Sequence, residues 1–319
     1  MSITITGGIS FSGGLDIVAP PSVATAGWYG GGSTPTQTSN VQRITFATDT
    51  ATATTRGSLS VEKYNLAATG DLTNGWFGGG ENSSGRSSTV NRITYSTDTA
   101  TASVRGPLSL GRYALAATGT TTEGWFGGGY SISGQASTID RITYATDTAT
   151  ASIRGSLSET QYAFYFAATG NTTDGWFGGG FTKSTVQRIT YATDTATTSV
   201  RGPLSLARYG LFATGTTSYG WFGGGHYSNP GPSAMSTVDR ITYATDTATA
   251  GVRGPLSSGR YKLSAVTDST TYGWFGGGRT PAVVSTVDRI TYATDTATAD
   301  VRGPLSLDKF AAAGASGLQ

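Results

Sequence analysis

The chain contains no cysteine and only one histidine, and both shortages exclude whole classes of chemistry. Without cysteine there is no disulfide, no thiolate zinc site and no cysteine nucleophile. With His226 as the only imidazole, a metal site built from several histidines is excluded as well. Charged residues make up 13% of the 319 residues, and the formal net charge is +2. This near-neutral balance gives no electrostatic footprint for nucleic acid or for an anionic membrane.

Long hydrophobic runs are also missing. No stretch approaches the ~18 apolar residues of a membrane-spanning helix, and the first residues lack the basic leader and long apolar run of a signal peptide. We therefore expect a soluble protein without membrane insertion. Glycine, by contrast, is abundant at 47 residues. Glycine-rich chains are often disordered, but 11% aromatic residues argue against disorder here.

All six tryptophans occupy the same position in a repeated block, Gly-Trp-(Phe/Tyr)-Gly-Gly-Gly. Consecutive tryptophans are 45 to 53 residues apart. The six are Trp28, Trp76, Trp125, Trp176, Trp221 and Trp274. We interpret them as markers of six copies of one structural unit, because self-similarity at a nearly fixed period indicates a repeat architecture.

Three further blocks recur six times in the same order. The first begins with Arg-Ile-Thr, at Arg43, Arg92, Arg141, Arg188, Arg240 and Arg289. It ends in a Thr-Asp-Thr turn that contains Asp49, Asp98, Asp147, Asp194, Asp246 and Asp295. The next block is Arg-Gly-(Pro/Ser)-Leu-Ser, at Arg56, Arg105, Arg154, Arg201, Arg253 and Arg302. The last has an aromatic residue before small apolar residues, at Tyr64, Tyr113, Tyr162, Tyr209, Tyr261 and Phe310.

Each unit is predicted to form four short strands. The arginines of the Arg-Ile-Thr and Arg-Gly blocks are 13 residues apart in every copy, as a tight hairpin requires. β-Branched and aromatic residues fill the runs between glycines, and a four-stranded unit of about 50 residues is typical of a β-propeller. The sequence therefore predicts an all-β fold, a six-bladed β-propeller of four-stranded antiparallel blades over residues 23–319.

The order of the blocks resembles the kelch repeat. The double glycine Gly31-Gly32, the segment 95–98 and the connection 105–112 correspond to the kelch double glycine, Tyr-Asp turn and Pro- and Arg-containing connection. The resemblance covers roughly residues 23–319. The chain departs from the family by lacking the tryptophan of the fourth strand, and it has a tryptophan before the glycines instead.

The two ends predict how the propeller closes. The first Trp block has no small-residue strand before it, whereas 309–314 is such a strand with no Trp block after it. We expect 310–313 to complete the first blade as its innermost strand, which removes free sheet edges.

The repeated charged residues allow two interpretations. The two arginines and the turn aspartate could form six equivalent anion or sugar sites, or they could hold the turns together structurally, which internal repetition favours. The turn aspartates are expected to accept hydrogen bonds from their own turn, and the repeated aromatics are assigned to packing between blades. The remaining carboxylates do not pair at equal repeat positions, so no catalytic residue, cofactor or metal is predicted.

The connections between the second and third strands vary most among the copies. They span 33–40, 81–89, 130–138, 181–185, 226–237 and 279–286. These loops emerge on one face of a propeller, and their Ser, Gly, Asn and Tyr content is typical of adaptable binding loops, although neutral drift would also produce the variation. The residues predicted on this rim are Tyr130, Phe181, His226, Tyr227 and Arg279.

Residues 1–22 lie outside the repeat and alternate Ile3, Ile5, Ile9 and Phe11 with other residues. A lone strand needs partners, so we predict either an extra strand on the propeller or, preferably, an attachment strand, possible also between copies of the chain.

The Thr- and Gly-rich, charge-poor copies resemble kelch-type propellers encoded by marine bacteriophages, especially cyanophages. That resemblance implies a non-enzymatic virion or tail-associated protein that binds host-surface glycans or proteins or other virion proteins. A free multivalent lectin is the alternative, and an intracellular scaffold is a third. The expected location is the virion if the gene is a phage gene, and extracellular or cytoplasmic otherwise.

Overall fold

Short strands follow one another along the chain because glycines and Asp-Thr turns interrupt the β-branched and aromatic runs every few residues. The computed structural model describes residues 23–159, 165–227 and 233–317. In this part of the chain there are six four-stranded antiparallel sheets. We number them sheets 1 to 6 in the order of their second strands.

Within each sheet, the four strands lie side by side in order from the centre of the molecule to its edge. The innermost strands of sheets 1 to 6 are Ala313–Ala315, Ala67–Gly70, Ala116–Gly119, Ala167–Gly170, Phe212–Gly215 and Ser264–Thr267. The second strands are Ala26–Gly30, Asn74–Gly78, Glu123–Gly127, Asp174–Gly178, Tyr219–Gly223 and Tyr272–Gly276. The third are Asn40–Thr45, Val90–Thr94, Thr138–Thr143, Val186–Thr190, Val238–Thr242 and Val287–Thr291. The outermost are Thr54–Ser58, Ser103–Arg105, Ser152–Ser156, Ser199–Arg201, Gly251–Arg253 and Asp300–Arg302.

The connections contain small elements that the sequence did not predict. A single turn of 3-10 helix follows each third strand, at Phe46–Thr48, Tyr95–Thr97, Tyr144–Thr146, Tyr191–Thr193, Tyr243–Thr245 and Tyr292–Thr294. Two-residue strands form hairpins in the variable connections, at Ser33–Thr34 with Thr36–Gln37, Glu81–Asn82 with Gly85–Arg86, Tyr130–Ser131 with Gly134–Gln135, and His226–Tyr227 with Ser233–Ala234. The Tyr130–Ser131 strand also pairs with Arg112–Tyr113.

The last strand of the chain pairs with the first described strand. Trp28 lies opposite Ala315 and Gly30 opposite Ala313 in an antiparallel register. The strand begins at Ala313, three residues later than predicted. Phe310 and Ala311 belong instead to the connection that leads into it, where Phe310 forms an isolated bridge with Ser33.

The hydrophobic core lies between neighbouring sheets. One cluster joins Trp76 and Val90 of sheet 2 to Phe126 and Ile142 of sheet 3, and five equivalent clusters occupy the other junctions. Glycine permits the close contact, since a Cβ on Gly78 would lie 2.8 Å from the Phe126 ring. The predicted all-β class with several four-stranded antiparallel sheets is confirmed, and the layout fits a β-propeller. The segment 1–22 lies outside the described residues.

Candidate functional site

The repeated tryptophan, arginines and aspartate meet where consecutive sheets touch. Between sheets 2 and 3, Trp76 Nε1 donates a hydrogen bond to Asp147 Oδ2 at 2.9 Å. Arg92 donates to the same oxygen at 3.0 Å, and Arg105 Nε lies 3.5 Å from it. The Trp76 ring stacks on Tyr144 with centroids 3.8 Å apart. The turn of sheet 3 is thus held by side chains of sheet 2.

This junction recurs between every consecutive pair of sheets, sheets 6 and 1 included. The Trp-to-Asp hydrogen bonds are 2.8 or 2.9 Å long and join Trp28 to Asp98, Trp76 to Asp147, Trp125 to Asp194, Trp176 to Asp246, Trp221 to Asp295 and Trp274 to Asp49. The paired arginines are Arg43 with Arg56, Arg92 with Arg105, Arg141 with Arg154, Arg188 with Arg201, Arg240 with Arg253, and Arg289 with Arg302.

These contacts join the repeated charges of consecutive sheets. The aspartates were expected to accept from their own turns, whereas the structure directs Oδ2 to the preceding sheet. Asp147 is 5% exposed, so little of its carboxylate is accessible to a ligand. Each junction is tightened by a glycine: Gly106 N donates to Asp147 O at 2.8 Å, and a Cβ on Gly106 would clash with the carbonyl of Ala149.

A second set of cations is fully buried inside individual sheets. In sheet 3, Arg112 and Asp140 are both 0% exposed and lie 3.1 Å apart. Sheets 5 and 6 carry the same pair, as Arg208 with Asp239 and Arg260 with Asp288. Sheet 2 has Lys63 with Asn91 at these positions, and sheet 1 has Lys309 with Gln42. Each lysine donates to backbone carbonyls, Lys63 to Thr89 O at 3.0 Å and Lys309 to Tyr29 O at 2.9 Å.

We predict that the protein becomes more stable as the pH rises from about 7 to about 10. Burial lowers the pKa of Lys63 and of Lys309 from 10.5 to about 7. The unfolded chain therefore binds more protons than the native chain across this window, so raising the pH favours the native state. Above pH 10 the sign reverses, because burial raises the pKa of Tyr144 and Tyr243 well above 10.0 and only the unfolded chain loses these protons.

Urea unfolding at intervals of one pH unit measures this dependence. Each titrating lysine contributes a slope of up to about 1.4 kcal/mol per pH unit. The double substitution K63M and K309M should flatten the rise, since methionine fills the space without an ammonium. A free energy of unfolding that is constant or falls between pH 7 and 9.5 in the unsubstituted chain would contradict the prediction.

On one face of the molecule, six residues that precede the innermost strands form a closed circle of backbone hydrogen bonds. The N–H of Asn65 donates to Ala311, Ala114 to Asn65, Tyr165 to Ala114, Gly210 to Tyr165, Lys262 to Gly210 and Ala311 to Lys262, at 2.6 to 2.9 Å. All six have φ between 52° and 67°. This circle marks the centre of the face towards which the variable connections emerge.

The fold does not require large side chains at these central positions. Gly210 fills one of them and reaches the left-handed region without strain. Tyr165 and Lys262 adopt the same conformation at a cost of about 1–2 kcal/mol each. Their side chains contact each other, with Lys262 Nζ 4.3 Å from the centre of the Tyr165 ring. Such strained non-glycine residues are concentrated at functional sites.

Around this centre, backbone bridges join the repeated aromatics to the residues that follow the glycine triplets. The bridged pairs are Tyr64 with Glu81, Tyr113 with Tyr130, Tyr209 with His226, Tyr261 with Arg279 and Phe310 with Ser33. We call the central six residues and these pairs the loop face. The aromatics of the last block, assigned from sequence to packing between blades, are therefore half-buried on this face instead, except Tyr162, which lies outside the described residues.

Four of the five rim residues predicted from the sequence lie on the loop face or its hairpins, and Phe181 lies beside the loop face. The Arg86 guanidinium lies over the Tyr130 ring, with its central carbon 4.9 Å from the ring centre. The Phe181 ring lies 5.2 Å from Tyr209. Tyr227 pairs with Ser233 across the short hairpin of sheet 5.

His226 and Arg279 extend the same aromatic surface. The His226 ring lies 5.1 Å from Tyr209 and 4.8 Å from Tyr261, and burial lowers its pKa below the usual value. The Arg279 guanidinium lies 5.5 Å from the Phe310 ring centre. The structure thus gathers the five predicted residues on one side of the molecule.

Sequence reasoning missed Tyr165 and Lys262. Both occupy a position that changes type from copy to copy inside an otherwise regular block, which is a usable signal. In the fourth sheet the position is obscured by two extra residues, since nine positions separate Leu157 from Phe166 against seven between Leu59 and Leu66. Burial lowers the pKa of Lys262, the lysine at the centre of the loop face, to about 8.

Within residues 23–159, 165–227 and 233–317, no three His, Asp or Glu side chains are grouped as a metal site would need. Over the same residues there is no helix of the length and hydrophobicity that would cross a membrane.

No protein family matches the sequence, and neither does any curated protein. Solved structures match by fold. One of them, described as the structure of YjhT, has a kelch-like propeller fold and shares 14% of its residues with this chain. The match has a TM-score of 0.69 and covers 88% of this chain and 95% of that one. At this identity the likeness shows the fold alone, and the chain is of the β-propeller type.

Proposed function

We propose that the chain is a closed six-bladed propeller in which each sheet is one blade and the C-terminal strand completes the first. The pairing of 313–315 with 26–30 supports closure. So do the circle of six backbone hydrogen bonds and the junction of Trp274 with Asp49. The kelch-like order of the blocks is part of the same proposal.

We further propose that this propeller is a non-enzymatic binding scaffold whose loop face contacts a partner. The observation that carries the proposal is that the repeated and the variable residues lie in different parts of the molecule. The tryptophans, arginines and aspartates that are identical in the copies lie between blades, whereas the residues that differ come together, beside the repeated aromatics of the last block, around the centre of one face. A partner that touches this face meets aromatic rings, which provide contact area, and short polar loops, which provide hydrogen bonds.

The biological setting we propose is a phage particle, as a virion or tail-associated protein that binds a host-surface glycan or protein or another virion protein. The repeat style of the sequence is the support for this setting. Mass spectrometry of purified particles from the genome that encodes the chain tests it. Absence of the chain from the particles, together with secretion of the free protein, would favour the lectin alternative.

A free lectin with six equivalent sites is the second candidate, and its binding residues would be different ones. It would use the repeated arginines and aspartates, which are engaged at the junctions. Residues 1–22 are the proposed attachment segment, which would bind another virion protein or a second copy of the chain. If the chain without them still assembles onto particles, that role is wrong.

A pair of matched variants tests the loop face. Tyr130→Ser, Phe181→Ser, His226→Ser and Arg279→Ser together place on four blades the residue that Ser33 already provides in blade 1. We expect binding to host cells or particles to fall at least tenfold with the melting temperature unchanged, as expected when several contact side chains are removed from an interface.

The control changes the outer strands instead. Val104→Thr, Val200→Thr, Val252→Thr and Val301→Thr copy the threonine that blade 1 has at position 55, and all four valines are exposed. This variant should bind normally. Full binding by the loop-face variant would reject the proposed function.

A further inference from the structure

A wide groove opens on the loop face between blades 1 and 2. It has a volume of about 810 Å³, within the range of ligand sites. It is lined by the hairpin of residues 33–37 and by Ser83. Glu62, Tyr64 and Phe310 line it as well.

The position of Glu62 changes residue type along the repeat. Glu62 occupies a position that is Gly111 in blade 3 and Gly259 in blade 6. At both glycines the connection lies directly on the preceding hairpin, since an added Cβ would be 2.7 Å from Arg86 O and closer still to Ala234 O. At this position Glu62 instead carries a side chain, and it lines the groove.

The side chains that line the groove offer hydrogen bonds that the protein itself does not use. In the described part of the chain, the carboxylate of Glu62 has no hydrogen-bond or ion-pair partner, and the amide of Gln37 has no hydrogen-bond partner. Glu62 is exposed and Gln37 half-buried. A carboxylate accepts up to four hydrogen bonds and an amide both donates and accepts. The groove therefore suits a ligand that carries several hydroxyl groups.

The rings and charges narrow the ligand class. Tyr64 and Phe310 supply apolar surfaces, and the Tyr64 hydroxyl is fixed by a 3.0 Å hydrogen bond to Glu81. Glu62 is the only charged residue among those that line the groove. This carboxylate would repel an anionic group bound beside it, whereas the cations Lys262 and Arg279 lie against the Phe310 ring. A neutral sugar, with hydroxyls at its edge and C–H groups on its face, fits both features.

A peptide fits less well. An extended peptide that binds beside a strand gains affinity by pairing with backbone groups. Here the nearby backbone is already engaged, since Tyr64 N donates to Glu81 O at 3.1 Å and Gly32 N donates to Lys63 O at 2.9 Å.

We propose that the groove between blades 1 and 2 binds a neutral glycan, so that one oligosaccharide site lies on the loop face. The inference rests on the proposed function and names the chemical class of its ligand. It differs from the six-site lectin because a single pair of blades forms it, and because none of the repeated arginines or turn aspartates takes part.

A glycan array carrying glucose-, galactose- and N-acetylglucosamine-terminated oligosaccharides, together with acidic ones, tests the proposal with the full chain. We expect retention of neutral glycans, and calorimetry with the best of them should give one site per chain. Replacing Glu62 by Gly and Gln37 by Ala should raise the dissociation constant at least tenfold, since a charge-assisted and a neutral hydrogen bond are lost.

Two controls separate this result from misfolding and from the proposed function. Asp308→Gly makes a similar change at the same position of another copy and should alter affinity less than twofold. The outer-strand variant Val104→Thr, Val200→Thr, Val252→Thr and Val301→Thr, whose valines are exposed and lie outside the groove, should also keep glycan affinity within twofold. An empty array, a preference for acidic glycans, or an affinity that the Glu62 and Gln37 changes leave intact would overturn the glycan site. If cells or particles still bind through the loop face, only the glycan site is wrong.

Discussion

Deleting residues 308–319 should abolish cooperative folding. The deletion removes the strand Ala313–Ala315 and leaves the second strand of sheet 1, which is buried along its length, with an open edge. It also removes Lys309 and the contribution of Ala311 to the central circle of hydrogen bonds. Unlike a long repeat array, a closed propeller lacks spare terminal units, so loss of one strand breaks both of its neighbouring junctions. Differential scanning calorimetry and near-ultraviolet circular dichroism measure the loss.

A synthetic peptide of residues 308–319 provides the matched control. Added in excess, it should restore the transition by mass action, because it binds the native form of the truncated chain. A truncated chain that melts within a few degrees of the full chain without the peptide would contradict the proposed closure.

Replacing Asp140 by Asn should lower the free energy of unfolding by about 3–5 kcal/mol, the usual cost of leaving a buried charge without its partner. Arg112 and Asp140 are both 0% exposed, and the same carboxylate accepts the backbone N–H of Ser109 at 3.0 Å. Asparagine keeps the shape of the side chain but not its charge. The guanidinium of Arg112 then remains in the interior without a counter-charge.

The other copies of the repeat supply the rescue. Combining Arg112→Lys with Asp140→Asn recreates the Lys63 and Asn91 arrangement of sheet 2. Lysine is able to lose its proton, so the double variant should be more stable than Asp140→Asn alone, and by a larger margin at pH 9 than at pH 7. Chemical unfolding of the three proteins at both pH values measures this. An Asp140→Asn variant of unchanged stability would show that the pair is not needed.

Much of the architecture follows from the sequence because the copies repeat it. The Trp, Arg-Ile-Thr and Arg-Gly blocks predict second, third and fourth strands, and the structure has a strand at each of them. The C-terminal strand was misplaced by three residues. Its start depends on Ala311, whose left-handed backbone carries the central hydrogen bond, and alanine gives no local signal for that conformation.

Contacts between copies were harder to predict. The sequence predicts that the carboxylate of Asp147 accepts from its own turn, but Oδ2 accepts from Trp76 and Arg92 of the preceding sheet and forms an ion pair with Arg105. Nothing local to residue 147 indicates this, because the partners are 42 to 71 positions away. The rim residues were found because they vary among the copies. Tyr165 and Lys262 vary as well, but they lie inside a block that was assigned to packing.

The central claim is that six like junctions close the propeller and leave the loop face to bind. The indole N–H groups report on it directly, since each tryptophan belongs to one junction. In a ¹⁵N-labelled sample, hydrogen–deuterium exchange of the indole N–H should be slow for all six tryptophans, including Trp28 and Trp274. Rapid exchange of Trp274 alone would mean that sheets 6 and 1 are not joined, and the account would be wrong.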